Sequence, residues 1–419
     1  MCVKKFEMIT MFNSKVEIDN GSTGSSHLPI LLLCLMILIY REPDGFFNPQ
    51  FWAEDGSLFF KQNLTLSISA IWQPYVGYLL IIPRLVAYFS GFFPVSWVPA
   101  LYNLGFIILT LFVINYLLSS RIHLPFKPFL AITIVFLPYN GEILMSLTNV
   151  QWILAIVLIL FIIQDKPNTT RQLLLDTATI IAIGLTGPFI VLFLPLFLFR
   201  IIYICRSYYS LHLLSVAFLL SLIQGYFIWQ ASKPVSSGEL AHSLEALEQV
   251  LAMRFSGTLF FGDYISLALN SHLLAGMTII LFAGLLTFAI LETRQKRLPI
   301  FVFLLGGCII TLACFYKFRY NLHVLVPFNN GYRYFYIPHL LIVWSLIVCF
   351  DSKGISKFIS ALLLLMVSVS LSSFSHFQVA PLTDYHWEKY SKQIEREKDI
   401  KIPINPDGWF LKIKNSPQK

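Results

Sequence analysis

The sequence predicts an all-α polytopic membrane protein, and three observations carry that reading. Of its 419 residues, 57% are hydrophobic and 12% charged. Its mean hydropathy of +0.71 lies far above that of an ordinary globular domain. Apolar runs suited to crossing a hydrocarbon core of about 30 Å recur from residue 28 to residue 374. No polar stretch between them is long enough for a large soluble domain. Residues 1–374 therefore read as one transmembrane domain, followed by a tail, 375–419.

The first run, 28–41, ends in IYREPDG, which lacks a small-residue cleavage pattern, so it is expected to stay as an anchor. Further spans centre on 97–118, 128–144, 150–164, 173–187, 188–203, 210–230, 272–291, 298–316, 334–350 and 356–374, about eleven transmembrane helices in all. Several are shorter than the roughly 20 residues of a perpendicular helix. One more apolar segment, YVGYLLIIPRLVAYFSGFF at 75–93, carries Pro83 and Arg84 at its middle. A charge there is costly in lipid and a proline removes a backbone hydrogen bond, so an interfacial or re-entrant helix is expected.

Basic residues test that choice. If 75–93 does not cross, the loops holding Arg121 and Lys127, Lys166 and Arg171, Arg206, Arg294, Lys296 and Arg297, and Lys353 and Lys357 all fall on the cytoplasmic side. The N-terminus is then inside and the C-terminus outside. The outer face collects the long connections: the first outer loop 42–96, the second 231–271, the segment 317–333 and the tail. Within the second loop, SSGELAHSLEALEQVL opens on Ser236 and Glu239 in a capping pattern and sets Leu240, Leu244, Leu247 and Leu251 on one helical face. That helix is expected to lie flat on the membrane or over a site. In the tail, DYHWEKYSKQIEREKD reads as helical and IPINPDGW as extended and turning.

Several function classes find no support. The formal charge of +8 comes without a basic stripe or recognition motif, so no nucleic acid partner is expected. Of six cysteines, five (Cys34, Cys205, Cys308, Cys314, Cys349) lie within or beside apolar runs and none forms a C-x-x-C pair. Neither a disulfide framework nor a zinc knuckle follows. Phosphate-binding, nucleophile-elbow and zinc-protease motifs are missing. His339, near a span, reads as a buried hydrogen-bonding residue.

The informative stretch is FFNPQFWAEDGSLFF at 46–60, which places Glu54 and Asp55 among large apolar residues just past the first span. The pair could be solvated, or serve as counterions to Arg84. It could instead supply a general base or a metal ligand in a cavity at the membrane surface, and the cost of ionisable groups in such surroundings favours this second reading. Spacing does not say which acid is the base. Oxygen ligands suit Mg or Mn, but one adjacent pair cannot fill a coordination shell, so a divalent cation stays open.

A first span, an outer loop with an acidic pair, an interfacial helix and then further spans resemble the GT-C-fold membrane glycosyltransferases, which take sugars from polyprenyl-phosphate carriers. Those enzymes keep an essential acid in the first outer loop, and Asp55, with Glu54 beside it, occupies the matching place. QPYVGYLLIIPRL at 73–85, YNGEILMSLTNVQW at 139–152, LTGPF at 185–189 and GYRYFYIP at 331–338 are similar to pieces of bacterial and phage serotype-converting O-antigen glucosyltransferases. The resemblance implies transfer of a hexose, with glucose as the candidate, from an undecaprenyl-phosphate donor to a glycan acceptor such as O-antigen. It implies the bacterial inner membrane with a periplasmic active site. Whether a flippase and a donor-synthesising glycosyltransferase work alongside is left open.

A lipid-phosphate sugar already carries a good leaving group, so one carboxylate base suffices, unlike glycoside hydrolysis. In an inverting transfer Asp55 would be that base. The departing phosphate needs cations, and YKFRYNLHVLVPFNNGYRY supplies Lys317, Arg319 and Arg333, with Arg84 and Arg254 as further candidates. Each could equally snorkel to lipid headgroups, save that Arg84, beside a proline in an apolar segment, is expected to be functional or to pair with Glu54 or Asp55. Glu142, near Asn149, Gln151 and Trp152, could bind sugar hydroxyls, cap a helix or pair with a cation. Trp52, Trp72, Tyr75, Trp152, Tyr332 and Tyr334 could stack on sugars or form the interfacial belt. An alternative from a different class is a lipid-linked oligosaccharide flippase or transporter, which should show paired halves or broken helices at the midplane, and a second enzyme reading is an O-antigen polymerase.

Overall fold

The computed structural model describes residues 27–137, 142–231, 244–327, 331–372, 377–394 and 399–414. It is mostly helical. Among the described residues five helices are long and apolar enough to cross a membrane: Val95–Leu118, Tyr208–Ala231, Ser271–Leu291, Arg294–Lys317 and Arg333–Phe350. The expected count of about eleven is thus not met by length. The remaining apolar helices, among them Leu28–Arg41, Lys127–Phe136, Val150–Ile163 and Ile355–Ser370, are shorter. The reason is visible in Val150–Ile163. Its 14 residues reach about 21 Å at 1.5 Å per residue, and nearly all of them are buried. That helix runs through the middle of the bundle, surrounded by protein. Elsewhere the outer faces are apolar, with Leu219 and Leu222, Ile279 and Ile280, and Leu362 and Leu365 exposed, as in a membrane-embedded protein.

The helix ends gather at two ends of the bundle. At the first, Asn103 donates to Gly45 O, Ile81 N to Leu185 O, Arg254 to Leu325 O and Val326 O, and Arg333 N to Glu142. Arg41, buried at the end of Leu28–Arg41, donates to Val135 O, Leu137 O and Phe377 O and so satisfies carbonyls ending a second helix. At the other end, Arg121 meets Asp165 O and Asp176, Arg294 meets Tyr203 O, and Lys296 meets Asp351.

The 75–93 segment contains a helix of ten residues, Ile81–Ser90, about 15 Å long and half of what a crossing requires. Pro83 sits in its first turn, where an amide has no intrahelical acceptor in any case. The extended chain before it is satisfied by neighbours. Gln224 accepts from Leu79 N at 2.9 Å and donates to Leu79 O at 3.3 Å, and Gly187 N donates to Leu79 O at 2.8 Å. Irregular backbone among apolar helices needs such partners.

In the second long loop, the capping pattern at Ser236 and Glu239 and the position of Leu240 lie outside the described residues. The helix Leu244–Leu251 continues as a π-helix, Ala252–Thr258. The all-α expectation is corrected in the tail. After the helix Trp387–Ile394, strands Asp399–Ile404 and Trp409–Lys414 pair antiparallel, with Ile402 opposite Leu411. Alternating Ile402, Ile404, Leu411 and Ile413 are buried, the period-two pattern of a half-buried strand. This hairpin packs on the loop that follows the first apolar helix: Ala53 N donates to Asn405 O at 2.5 Å and Asn405 N to Phe51 O at 3.1 Å. Trp387 stands edge-on to Phe51 at 4.7 Å and to Phe60 at 5.7 Å.

Candidate functional site

The acidic pair sits on an unusual piece of backbone. Ala53 has φ of 37°, a left-handed conformation that costs a non-glycine residue about 1 kcal/mol or more. The chain then winds into a π-helix, Asp55–Phe60, a form frequent at functional sites. Gly56 allows this against the tail. A Cβ there would lie 2.9 Å from Phe51 Cβ and 3.1 Å from Ile404 Cδ1.

The turn sends the two acids to different surroundings. Asp55 points inward and is 3% exposed. Its Oδ2 accepts the Leu147 amide at 2.9 Å, and its Oδ1 accepts the Thr148 amide at 2.8 Å and the Thr148 hydroxyl at 2.6 Å. Burial pushes its carboxyl up to about 7, against the pull of the Thr148 and Leu147 hydrogen bonds, while the Glu54 charge adds to the rise. Glu54 is half-buried and accepts the Tyr75 hydroxyl at 2.7 Å. Tyr78 is acted on by Gln151, Tyr334, Arg333 and Glu54, although burial is the largest cause holding its hydroxyl up at about 12.

A single tyrosine collects the nearby cations. Lys317 Nζ donates to Tyr334 Oη at 2.8 Å, and the Arg333 guanidinium carbon lies 5.2 Å from the Tyr334 ring centroid. Trp152 meets the same ring edge-on at 5.4 Å. Glu142 Oε2 accepts the Arg333 amide at 3.0 Å, and its Oε1 lies 3.9 Å from Arg333 Nη1. Glu142 therefore caps the N-terminus of Arg333–Phe350 and pairs with its first side chain, both favourable at the positive end of a helix. Glu54 and Glu142 both act electrostatically on Arg333. Glu54, Tyr75, Glu142, Trp152, Lys317 and Arg333 thus belong to one neighbourhood.

Other candidates are placed elsewhere. Arg84 does not pair with Glu54 or Asp55. It is 2% exposed, donates to Gln62 Oε1 at 2.8 Å and lies 4.9 Å over the Phe59 ring. Arg254 is buried, donating to Leu325 O at 2.6 Å and Val326 O at 2.9 Å and stacking 4.2 Å over Tyr332. Arg319 folds onto its own loop, 4.3 Å from the Tyr316 ring and 4.6 Å from Tyr320. Tyr332 donates its hydroxyl to Asp263, which also accepts Thr258 Oγ1 at 2.7 Å. Asn149 is buried and spent on Glu142 O at 2.6 Å and Ser146 Oγ at 3.2 Å. Trp52 faces the tail, beside Leu382 and Pro406. Each of these is drawn off by a local backbone acceptor or a neighbouring side chain.

The donor set does not suit Mg or Mn at Glu54 and Asp55. The Asp55 oxygens are met by N–H and O–H donors, whose positive ends repel a cation. Among the described residues no group of three or more His, Cys, Asp or Glu converges. Thr148 and Tyr78, which complete the neighbourhood, were not singled out from sequence; a threonine in SLTNVQW carries no signal without its partner across the fold. No family model, curated protein or solved structure matches this chain.

Proposed function

We propose that the chain is a membrane glycosyltransferase of the GT-C kind, moving a hexose from an undecaprenyl-phosphate donor to a surface glycan such as O-antigen. On this reading its eleven apolar segments each cross the bacterial inner membrane, and the Glu54 face is periplasmic. The observation that carries it is a half-buried carboxylate, Glu54, bonded to the Tyr75 hydroxyl at the end of an apolar bundle where Arg333 feels its charge and Lys317 is held by Tyr334.

Glu54 is the base in this proposal, because Asp55 is buried and held by three donors, whereas Glu54 is half-buried and accepts the Tyr75 hydroxyl. Tyr75 orients Glu54. The Glu54 carboxylate removes the proton of an acceptor hydroxyl as its oxygen attacks the anomeric carbon, and the polyprenyl phosphate departs with the bonding electrons. Arg333 and Lys317 stabilise the phosphate charge, Arg333 through two donors of its planar fork. Trp152, buried between Phe189 and Tyr334, supports the Tyr334 ring from behind. Asp55 acts as a positioning residue, tying the first loop to 147–148.

The test is expression in a strain of known O-antigen, with the purified glycan compared by NMR and mass spectrometry. A gain of one hexose per repeat, lost in Glu54→Gln, is the expected result. Unchanged glycan structure with altered amount or chain length would point to a flippase or polymerase and end this reading.

A further inference from the structure

We infer that the end of the bundle opposite Glu54 holds a binding pocket for the phosphate headgroup of an anionic phospholipid. A cavity of about 660 Å³ opens there between the segments 120–123, 163–168 and 200–207. Its charge is unbalanced: Arg121, Lys166 and Arg200 line it against one carboxylate, Asp165. That carboxylate is already held by His123 Nε2 at 2.8 Å. Arg121 is neutralised from behind by Asp176 at 2.6 Å.

Arg200 is what remains. It is 2% exposed, and the three acceptors on its Nε and Nη1 are neutral: Ser210 Oγ at 3.0 Å, Phe161 O at 3.1 Å and Ile162 O at 2.6 Å. A buried guanidinium without a carboxylate partner is costly, and an anion entering from the cavity offsets that cost. Lys166, exposed at the rim beside Asp165, adds a further cation, so the pocket keeps an excess of positive charge.

The surroundings select a lipid over a free anion. Ile202 and Tyr203 are each 59% exposed and Tyr208 is 94% exposed, directly beside Ile204, Cys205 and Ser207 of the pocket wall. Tyrosine next to exposed aliphatic groups is the signature of headgroup depth. Basic pockets between helix ends at that depth suit anionic headgroups. The glycerol and upper acyl chain would lie along Ile202 and Tyr203 with the phosphate reaching inward to Arg200.

Native mass spectrometry of the detergent-solubilised full chain, titrated with phosphatidylglycerol, phosphatidylcholine or inorganic phosphate, tests this. Phosphatidylglycerol should be retained over phosphatidylcholine. Arg200→Gln, which keeps a donor for the carbonyls, and Lys166→Ala should each weaken that retention roughly fivefold, the share of one cation near a membrane surface. Lys353→Ala, elsewhere on the same end, should leave it unchanged. If Arg200→Gln does not fold, the exposed Lys166 variant decides. Equal retention of both lipids, an intact preference in Lys166→Ala, or displacement of phosphatidylglycerol by millimolar phosphate would each overturn the assignment, the last in favour of a free anion.

Discussion

Asp55 and Thr148 are joined twice, one carboxylate oxygen accepting both the amide at 2.8 Å and the hydroxyl at 2.6 Å of the same threonine. The contact crosses 93 positions of sequence and fastens the π-helical first loop to the N-terminus of the buried Val150–Ile163 helix. It makes Asp55 a structural acceptor and leaves Glu54 as the carboxylate turned toward Tyr75.

Stability should fall as pH rises through the Asp55 transition. Its carboxyl is pushed from 3.8 up to about 7, so between these values the unfolded chain is ionised while the folded chain keeps its proton. The unfolded state then binds fewer protons, and the folded state loses up to about 4 kcal/mol by pH 8. Asp55→Asn should remove this slope. It should also cost about 1–3 kcal/mol near pH 5, because its amide nitrogen faces a backbone N–H. Thermal unfolding in detergent between pH 5 and 8 measures both, and a variant with the parent's pH slope would refute the assignment.

Tyr75→Phe separates orientation from chemistry. The hydroxyl donates to Glu54 at 2.7 Å, so its loss leaves the carboxylate in place but free to rotate. Transfer measured on isolated membranes should drop about tenfold, against about 10²–10⁴-fold for Glu54→Gln. Equal losses in the two variants would argue against Glu54 as the group that takes the proton.

Glu142 holds the first turn of a long helix. Replacing it with Gln keeps a hydrogen-bond acceptor for Arg333 N but removes the charge opposite the helix dipole and the Arg333 side chain. The expected cost is about 0.5–1 kcal/mol of stability. Transfer should fall as well, because Arg333 loses its tether. Restoration of both properties by Glu142→Asp, read from the melting curve and the glycan product, would support the cap.

The tail should come loose in Trp387→Ala. The indole packs edge-on to Phe51 and Phe60 and its Nε1 donates to Val95 O at 3.1 Å. Truncating such a side chain costs about 3–5 kcal/mol. Limited proteolysis should then cut between residues 377 and 414 while sparing the apolar helices before them, and resistance equal to the parent protein would show that the strands dock without the tryptophan.

Much of the helical layout was legible because it rests on local signals. Runs of Leu, Ile and Phe mark the apolar helices, and Pro83 with Arg84 sets apart a segment whose helix is ten residues long. Helix length was less legible. Hydropathy does not distinguish a helix sheathed in lipid from one sheathed in protein, and Val150–Ile163 belongs to the second kind. The tail hairpin was half seen: IPINPDGW reads as extended and turning, but nothing local says that the paired strands close over Phe51 and Gly56.

The roles of charged residues depended most on the fold. Arg84, Arg254 and Arg333 look alike as arginines near apolar stretches; one is buried on Gln62 and Phe59, one caps backbone carbonyls, and one stands beside Glu142. Neighbouring Glu54 and Asp55 carry the same functional group, yet the strained turn at Ala53 gives one an open setting and the other three donors.

The sequence by itself determined the class of protein and the approximate stretches of apolar helix, since transfer from water to hydrocarbon is additive along the chain. Tertiary structure alone decided which acid faces inward, which cations share the neighbourhood of the other and how the tail covers the first loop. Those outcomes depend on distances of a few ångströms between residues far apart in sequence, and no local composition encodes them.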